Sequence, residues 1–375
     1  MTREYVSGGY CDYIAIAKEI NKRSVYESII YCFIALILIA CGDKSDEGAK
    51  AAGQPQAVDS IESTQSAQEQ VIRAFGMNPP LSVLLEILNP QGMVGLNYKP
   101  YEEDIAFMPP NISTLPVLGH MGNRSVSFES LVALKPDVVF FSEGSSEDML
   151  EPYQKVGIKT FIVPGYHFED IPLAIKAYKE AFAADKRVSE KADMLLAFVE
   201  EQGKRLESLQ NAITERPKVY FAQGFDGLKS QCASVGQKDL AYYIGGENAL
   251  DCSMLDNPSM QSSINFEILA SINPEVIFVR ELPFYRELMS NAPLQWKNLS
   301  AFKNHRIYYA PSTPSNWLMR PPSVMQSLGF LWAFEKVQPT LISQKEAKER
   351  AQYFFHTFLR DLSDEEYERI QGLRE

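Results

Sequence analysis

The sequence predicts an α/β protein with two lobes, each built on a mostly parallel sheet flanked by helices, joined by one long α-helix. Three observations predict it. Short apolar strands such as Val138-Val139-Phe140-Phe141 alternate with helical patterns, and runs buried on both faces belong to parallel sheets. One helix-to-strand unit is written twice, as SFESLVALKPDVVFF over residues 127–141 and NFEILASINPEVIFV over 265–279. Between the copies, Val188, Ala192, Leu195, Val199, Leu206, Leu209 and Ile213 recur at steps of three, four or seven, the stripe of a single helix over 188–213. At 1.5 Å per residue that helix runs roughly 39 Å, and Pro217 stops it because its ring clashes with the preceding turn.

At 375 residues the chain exceeds one typical domain. A formal charge of −12 supplies no basic stripe for phosphates, so nucleic acid is excluded as a partner. Lys22-Arg23 precede an apolar run over 29–40, too short to span the bilayer comfortably but of the length of a signal-peptide core. It ends in Leu38-Ile39-Ala40-Cys41-Gly42, which resembles a bacterial lipoprotein box: residues 1–40 read as a signal peptide and Cys41 as the lipidated residue. Residues 41–69 lack the apolar side chains to offset ordering entropy and read as a tether to the membrane. Localisation follows as periplasmic or on the outer face of the cell membrane. Cys232 and Cys252 are free to pair in an oxidising compartment or to sit apart as buried thiols; their spacing does not choose.

The first lobe covers 70–185. Strands are expected at 70–76, 92–97, 117–119, 137–142 and 159–164. Helices are expected at 81–88, 128–134, 146–156 and 169–183. The linking segment is 186–216, with Gly203 its weakest point. The second lobe, 217–375, restarts the pattern with strands at 218–224, 249–252, 275–280 and 306–311. Its helices are expected at 237–244, 265–272, 284–290, 321–337, 343–362 and 364–373. In parallel sheets ligands gather beyond the carboxyl ends of the strands, so the loops there are the candidate binding edge.

The two repeated units match residue by residue: Phe128 with Phe266, Glu129 with Glu267, Pro136 with Pro274 and Val138 with Val276. With 153–163 (YQKVGIKTFIV) and 294–311 (LQWKNLSAFKNHRIYYAP), they carry a resemblance to class III periplasmic substrate-binding proteins of ABC importers, of the iron-siderophore, haem and cobalamin type. The resemblance covers about Val71 to the C-terminus. It implies a cleft between the lobes, a metal chelate as ligand, and an ABC permease dimer with its ATPase as partners. It also implies that Glu129 and Glu267 dock on permease arginines; read from the residues alone, each satisfies its own helix N-terminus.

Candidate ligand contacts sit at the loop edges. The resemblance singles out Met77 and Asn78 after the first strand of the first lobe, and Phe225 and Asp226 after that of the second. Tyr98, Tyr101, Tyr166, Tyr285 and Trp317 add flat apolar faces suited to a bulky chelate. Arg124, Arg280 and Arg320 offer fork-shaped hydrogen bonding to carboxylate or catecholate oxygens, although Arg280 has Glu281 beside it as an ion-pair partner. His120, Met121, Glu143, His167 and Asn316 complete the set. No histidine pair has metal-ligand spacing, so neither a resident metal nor a cofactor is expected. The function implied is capture of a ferric siderophore or haem, without catalysis. Cobalamin, a nickel chelate and molybdate or tungstate are alternatives, and the enzymatic rival is a metal chelatase using His120 or His167.

Overall fold

The computed structural model describes residues 71–373, apart from Arg124, Tyr166, Val235 and Met260 and the side chain of Asn123. The signal segment, Cys41 and the tether, together with candidates Arg124 and Tyr166, lie outside the described residues.

The first lobe opens with β1 (Ala74–Gly76) and α1 (Pro79–Leu88), which Pro79 and Pro80 start two residues before the expected boundary. The 98–116 loop holds one short α-helix, α2 (Glu102–Ile105), and a 3-10 turn, Ile112–Thr114. Next come α3 (Phe128–Ala133), β2 (Val138–Ser142), α4 (Glu147–Lys155), β3 (Lys159–Val163) and α5 (Ile171–Ala181). The three strands form one parallel sheet in the order β1-β2-β3. The strand expected over 92–97 is reduced to isolated bridges, Ala74 with Met93 and Leu96 with Val117. The tight turn Pro90–Gly92 uses up its start, and the one expected at 117–119 is reduced to the same Leu96 bridge.

The long helix is α6 (Lys186–Gln210), capped by Asp185, whose carboxylate accepts from the Val188 amide at 3.1 Å. Its buried side chains include the expected stripe from Val188 to Leu209; Ile213 falls beyond its end.

The second lobe contains β4 (Lys218–Ala222), β5 (Lys229–Ser230), α7 (Leu240–Tyr243), β6 (Glu247–Asn248), β7 (Ser262–Ser263), α8 (Phe266–Ile272) and β8 (Val276–Val279). After these come α9 (Leu282–Asn291), α10 (Leu294–Lys297), α11 (Ser300–Lys303), β9 (Ile307–Tyr309), α12 (Gln326–Val337), α13 (Gln344–Phe358) and α14 (Asp364–Ile370). Its parallel sheet has the order β6-β4-β8-β9, and β5 and β7 make a small antiparallel pair. The strand expected at 249–252 lies earlier, at β6. Leu250 donates to Asn248 Oδ1 and Asp251 caps the turn Cys252–Met254, which ends the extended run. α7 is shorter than its pattern because Asp239 caps it by accepting from Tyr242.

The duplication extends to backbone detail. Ser127 caps α3 and Asn265 caps α8. Each helix then turns at a left-handed residue, Lys135 (φ 49°) and Asn273 (φ 41°). Each following acid accepts from an amide at the start of its lobe's first strand: Asp137 from Arg73, just before β1, at 2.8 Å, and Glu275 from Lys218 at 2.9 Å. Phe128 packs on Tyr153, and Phe266 packs on Trp296.

Alternation along the strands sorts the core. Phe75, Val139 and Phe141 face a cluster under α3 and α4, and Tyr220, Ala222, Ile277 and Val279 face a cluster under α8 to α10. Ala74, Val138 and Phe140 of one sheet, and Val219, Phe221, Val276 and Phe278 of the other, enter a single shared cluster with α6 and α12 to α14. Phe107 meets Phe355 edge-on and Phe168 packs on Phe330, further joining first-lobe segments to C-terminal helices. α6 joins the lobes as expected, and the lobes also share a core. Cys232 and Cys252 are joined by a disulfide.

Candidate functional site

The loops at the carboxyl ends of the two sheets carry most of the candidate residues, and Gly76 begins the first of them. An added Cβ there would lie 2.7 Å from the Ser82 amide, so glycine lets β1 turn tightly into α1. The next residue, Met77, is buried: its amide donates to Phe140 O and its carbonyl accepts from Met121. Its side chain belongs to the core beside half-buried Met121. Asn78 is half-buried and its amide reaches Ser142 Oγ, at the end of β2. Glu143 follows on the same edge, exposed, its backbone amide bonded to Val163 O.

Tyr98 and His120 form a pair. The phenol oxygen is 2.7 Å from His120 Nε2, and the rings lie 4.9 Å apart at their centroids. Both loops are tied by Asn97, a buried residue that sequence reasoning missed. Its amide donates to Gly76 O and Gly119 O, at 3.0 and 2.8 Å, holding the 77 and 119 loops in register. Tyr101 is 73% exposed and Tyr98 is also largely open, so both rings present free faces. His167 stands apart from this pair. It borders a cavity of about 40 Å³ between Pro80, Gly165 and the 322–324 segment, and its amide is taken by Asp170.

On the second lobe, Gly224 (φ 81°) and Gly227 (φ 70°) bend the loop after β4. At Gly227 a side chain would run into the Phe284 ring, and Asp226 accepts from Leu228 to close the turn. The bend leaves Phe225 85% exposed. Beyond β8, Arg280 Nη1 donates to Glu281 Oε1 at 2.9 Å, and Nη2 reaches the Arg320 carbonyl at 3.5 Å. Arg280 Nε and Glu281 Oε2 are buried without a hydrogen-bond partner. The Arg320 side chain is half-buried and has no acceptor among the described residues. The Arg280 guanidinium thus lies between the Glu281 carboxylate and the Arg320 backbone, and the two arginines keep spare donors that suit an anionic oxygen ligand.

Three further candidate residues are buried in the described structure. Trp317 is 0% exposed, its indole donating to Thr313 O and its ring edge-on to Trp332. Asn316 is buried and held by the loop: Oδ1 accepts from Leu318 and Met319, and Nδ2 donates to Ser312 Oγ. Tyr285 is buried against Tyr309, because α9 starts at Leu282 and turns Phe284, Tyr285 and Leu288 inward. Burial pushes the Tyr285 phenol above its ordinary range. These residues shape the loops without offering a surface.

Glu129 and Glu267 are both exposed in the first turns of their helices. Its own backbone amide and the Ser127 hydroxyl hold the Glu129 carboxyl below the usual range. Among the described residues no three or more His, Cys, Asp or Glu side chains group so as to hold a metal, and no helix is long and apolar enough to cross a membrane.

An ABC transporter solute-binding protein from Sulfurospirillum deleyianum is similar in structure, with a TM-score of 0.68 and 26% identity over 80% of this chain and 94% of its own. A periplasmic solute-binding protein from Veillonella parvula has a TM-score of 0.66 and 23% identity over 82% and 93%. The molybdate periplasmic binding protein MolA of Haemophilus influenzae has a TM-score of 0.59 and 19% identity over 77% and 93%. No curated protein matches the chain. The fold and family are those of binding proteins without catalytic function. The profile described as "Periplasmic binding protein" matches residues 96–314, and with that span, the duplicated lobes and the strand-end loops, the chain belongs to the periplasmic binding protein family.

Proposed function

We propose that this protein is the extracytoplasmic receptor of an ABC importer and captures a metal chelate, a ferric siderophore or haem, between its lobes. The observation that carries the reading is Arg280, whose Nε is unspent and whose Nη2 reaches the Arg320 carbonyl, with no acceptor for the Arg320 side chain among the described residues. Guanidinium forks suit the carboxylate or catecholate oxygens that surround a chelated cation. Exposed Phe225, Tyr98 and Tyr101 supply flat apolar faces for the organic body of such a ligand. Arg124 and Tyr166, outside the described residues, belong to the same loops in this reading. Molybdate, the ligand named for MolA, presents anionic oxygens without an organic body, and leaves the three aromatic faces without a role.

In the same proposal Cys41 carries the lipid that holds the receptor at the membrane, and Glu129 and Glu267 contact one permease subunit each. Thermal melting tests the ligand class. The purified chain is heated with ferric siderophores, haem, cobalamin, nickel-histidine and molybdate in turn. A ligand at a hundred times its dissociation constant adds about 2.7 kcal/mol of stability. A rise with a ferric siderophore or haem, lost in Arg320→Ala, is the expected result. A rise with molybdate alone refutes the chelate, and no rise with any of them refutes the receptor.

A further inference from the structure

The segment 98–107 belongs to the first lobe in sequence and to both lobes in packing. Tyr101 sits at the N-cap of α2, and its carbonyl accepts from the Asp104 and Ile105 amides at 3.0 and 3.3 Å. Of the three acids that follow, Glu102 and Glu103 are exposed and Asp104 turns inward. Its Oδ1 accepts from Thr313 Oγ1 at 2.7 Å, a buried bond between residues 209 positions apart. Further on, Phe107 is buried edge-on to Phe355, and Arg360 donates to Ala106 O while its guanidinium covers the Phe107 ring at 4.3 Å. Those contacts pin the end of the segment to α13 and the turn after it. The Asp104 bond differs from them, because it joins two loops of the cleft directly.

Thr313 lies near the start of the 312–320 loop, which is bonded to itself along its length. Trp317 donates its amide to Pro311 O and its indole to Thr313 O. Asn316 donates to Ser312 and accepts from Leu318 and Met319. The loop ends at Arg320, whose carbonyl takes Arg280. A displacement at Thr313 is therefore carried to Arg320, and one at Asp104 is carried through a single helical turn to Tyr101.

We propose that Asp104 and Thr313 are positioning residues that lock the two walls of the cleft together. The wall with Tyr98 and Tyr101 on one lobe and the wall with Arg320 on the other keep a single separation through this bond. A buried hydrogen bond to a carboxylate is among the stronger ones in a protein, and removing either partner leaves the other buried and unsatisfied. The use of the coupling rests on the receptor reading above. A ligand that lays its organic body on the tyrosines and an anionic oxygen on the arginines is selected for the distance between those two groups. Neither wall adjusts alone to a shorter or longer one, so affinity comes from a cleft set before the ligand arrives.

Hydrogen–deuterium exchange on the full ligand-free chain tests the coupling. No ligand enters it, so a failed coupling and a failed chelate screen are separate results. The exchange is run at pH 8, where Asp104 is ionised, since burial raises its carboxyl to about 6. Protection is read relative to the amides of β8, which report opening of the whole chain. In Asp104→Ala the amides of Trp317, Leu318 and Met319 lose at least about tenfold in protection, the effect of removing a hydrogen bond to a charged group. In Thr313→Val the amides of Asp104, Ile105 and Phe107 lose as much. Thr313→Ser keeps the hydroxyl and leaves both segments protected. The double variant Asp104→Ala/Thr313→Val loses no more than either single one, because both remove the same bond. Loss confined to the segment that carries the substitution overturns the coupling. Equal loss in Thr313→Ser and Thr313→Val also overturns it, since the hydroxyl would then not be what joins the walls.

Discussion

On the core face of α6, Gln202 is fully buried, and neither its Oε1 nor its Nε2 has a hydrogen-bond partner. A stripe of Leu195, Val199 and Leu206 surrounds it in sequence, so the amide has given up water without replacement. Desolvating such a group costs about 1–3 kcal/mol. Gln202→Leu should therefore stabilise the protein by about 1–2 kcal/mol, read as a higher urea midpoint at unchanged slope. A lower midpoint would mean that the amide has a role the side chains around it do not reveal. Individual residues also show where sequence patterns mislead. Trp317 and Asn316 sit in the right loop, yet one fills the core and the other folds the loop on itself. Arg280 and Glu281 were legible as neighbours, but the burial of their pairing depends on packing that no local window contains.

Among the elements, the helix-to-strand units α3–β2 and α8–β8 were readable almost to the residue. Their signals are local: a capping Ser or Asn, a left-handed turn residue before proline, and an apolar run. Elements that depend on partners were not readable in the same way. The run 92–97 has strand character but meets β1 at a single bridge, and 249–252 yields to side-chain turns at Asn248 and Asp251. Helix α12 begins at Gln326 instead of 321, because Pro321-Pro322 keep the chain extended after Arg320. The second lobe gains a constraint from the Cys232–Cys252 bridge, which closes a loop with a sequence separation of 20 around α7 and β6. Cross-linking a loop of that size restricts the unfolded chain by about 3 kcal/mol. The Cys232→Ser/Cys252→Ser double variant should lose about that much in urea unfolding. Reduction of the wild type should lower its stability to the same level; no change on reduction would place the cost in packing alone.

Across the whole molecule the two lobes share one cluster of side chains, reinforced by Arg205 with Glu346, Arg350 with Glu201, and Lys191 donating to Phe358 O. Such a junction favours small rotations over wide closure. It also fixes Glu129 and Glu267 relative to each other, which matters if each meets one permease subunit. The Glu129→Ala/Glu267→Ala double variant should bind the chelate with unchanged affinity while failing to stimulate transport by the reconstituted importer. Weakened chelate binding would instead assign these glutamates to the cleft. The shared core has a consequence for the duplication itself. Each half looks like a module, yet the cluster that Ala74, Val138 and Phe140 enter, beneath Tyr178 and Phe182 of the same lobe, continues into the other sheet and the C-terminal helices. A fragment cut after α6 would bare Phe107, Phe168 and Phe198, whose ring partners lie on the C-terminal helices, so the halves have become interdependent parts of one cooperative folding unit.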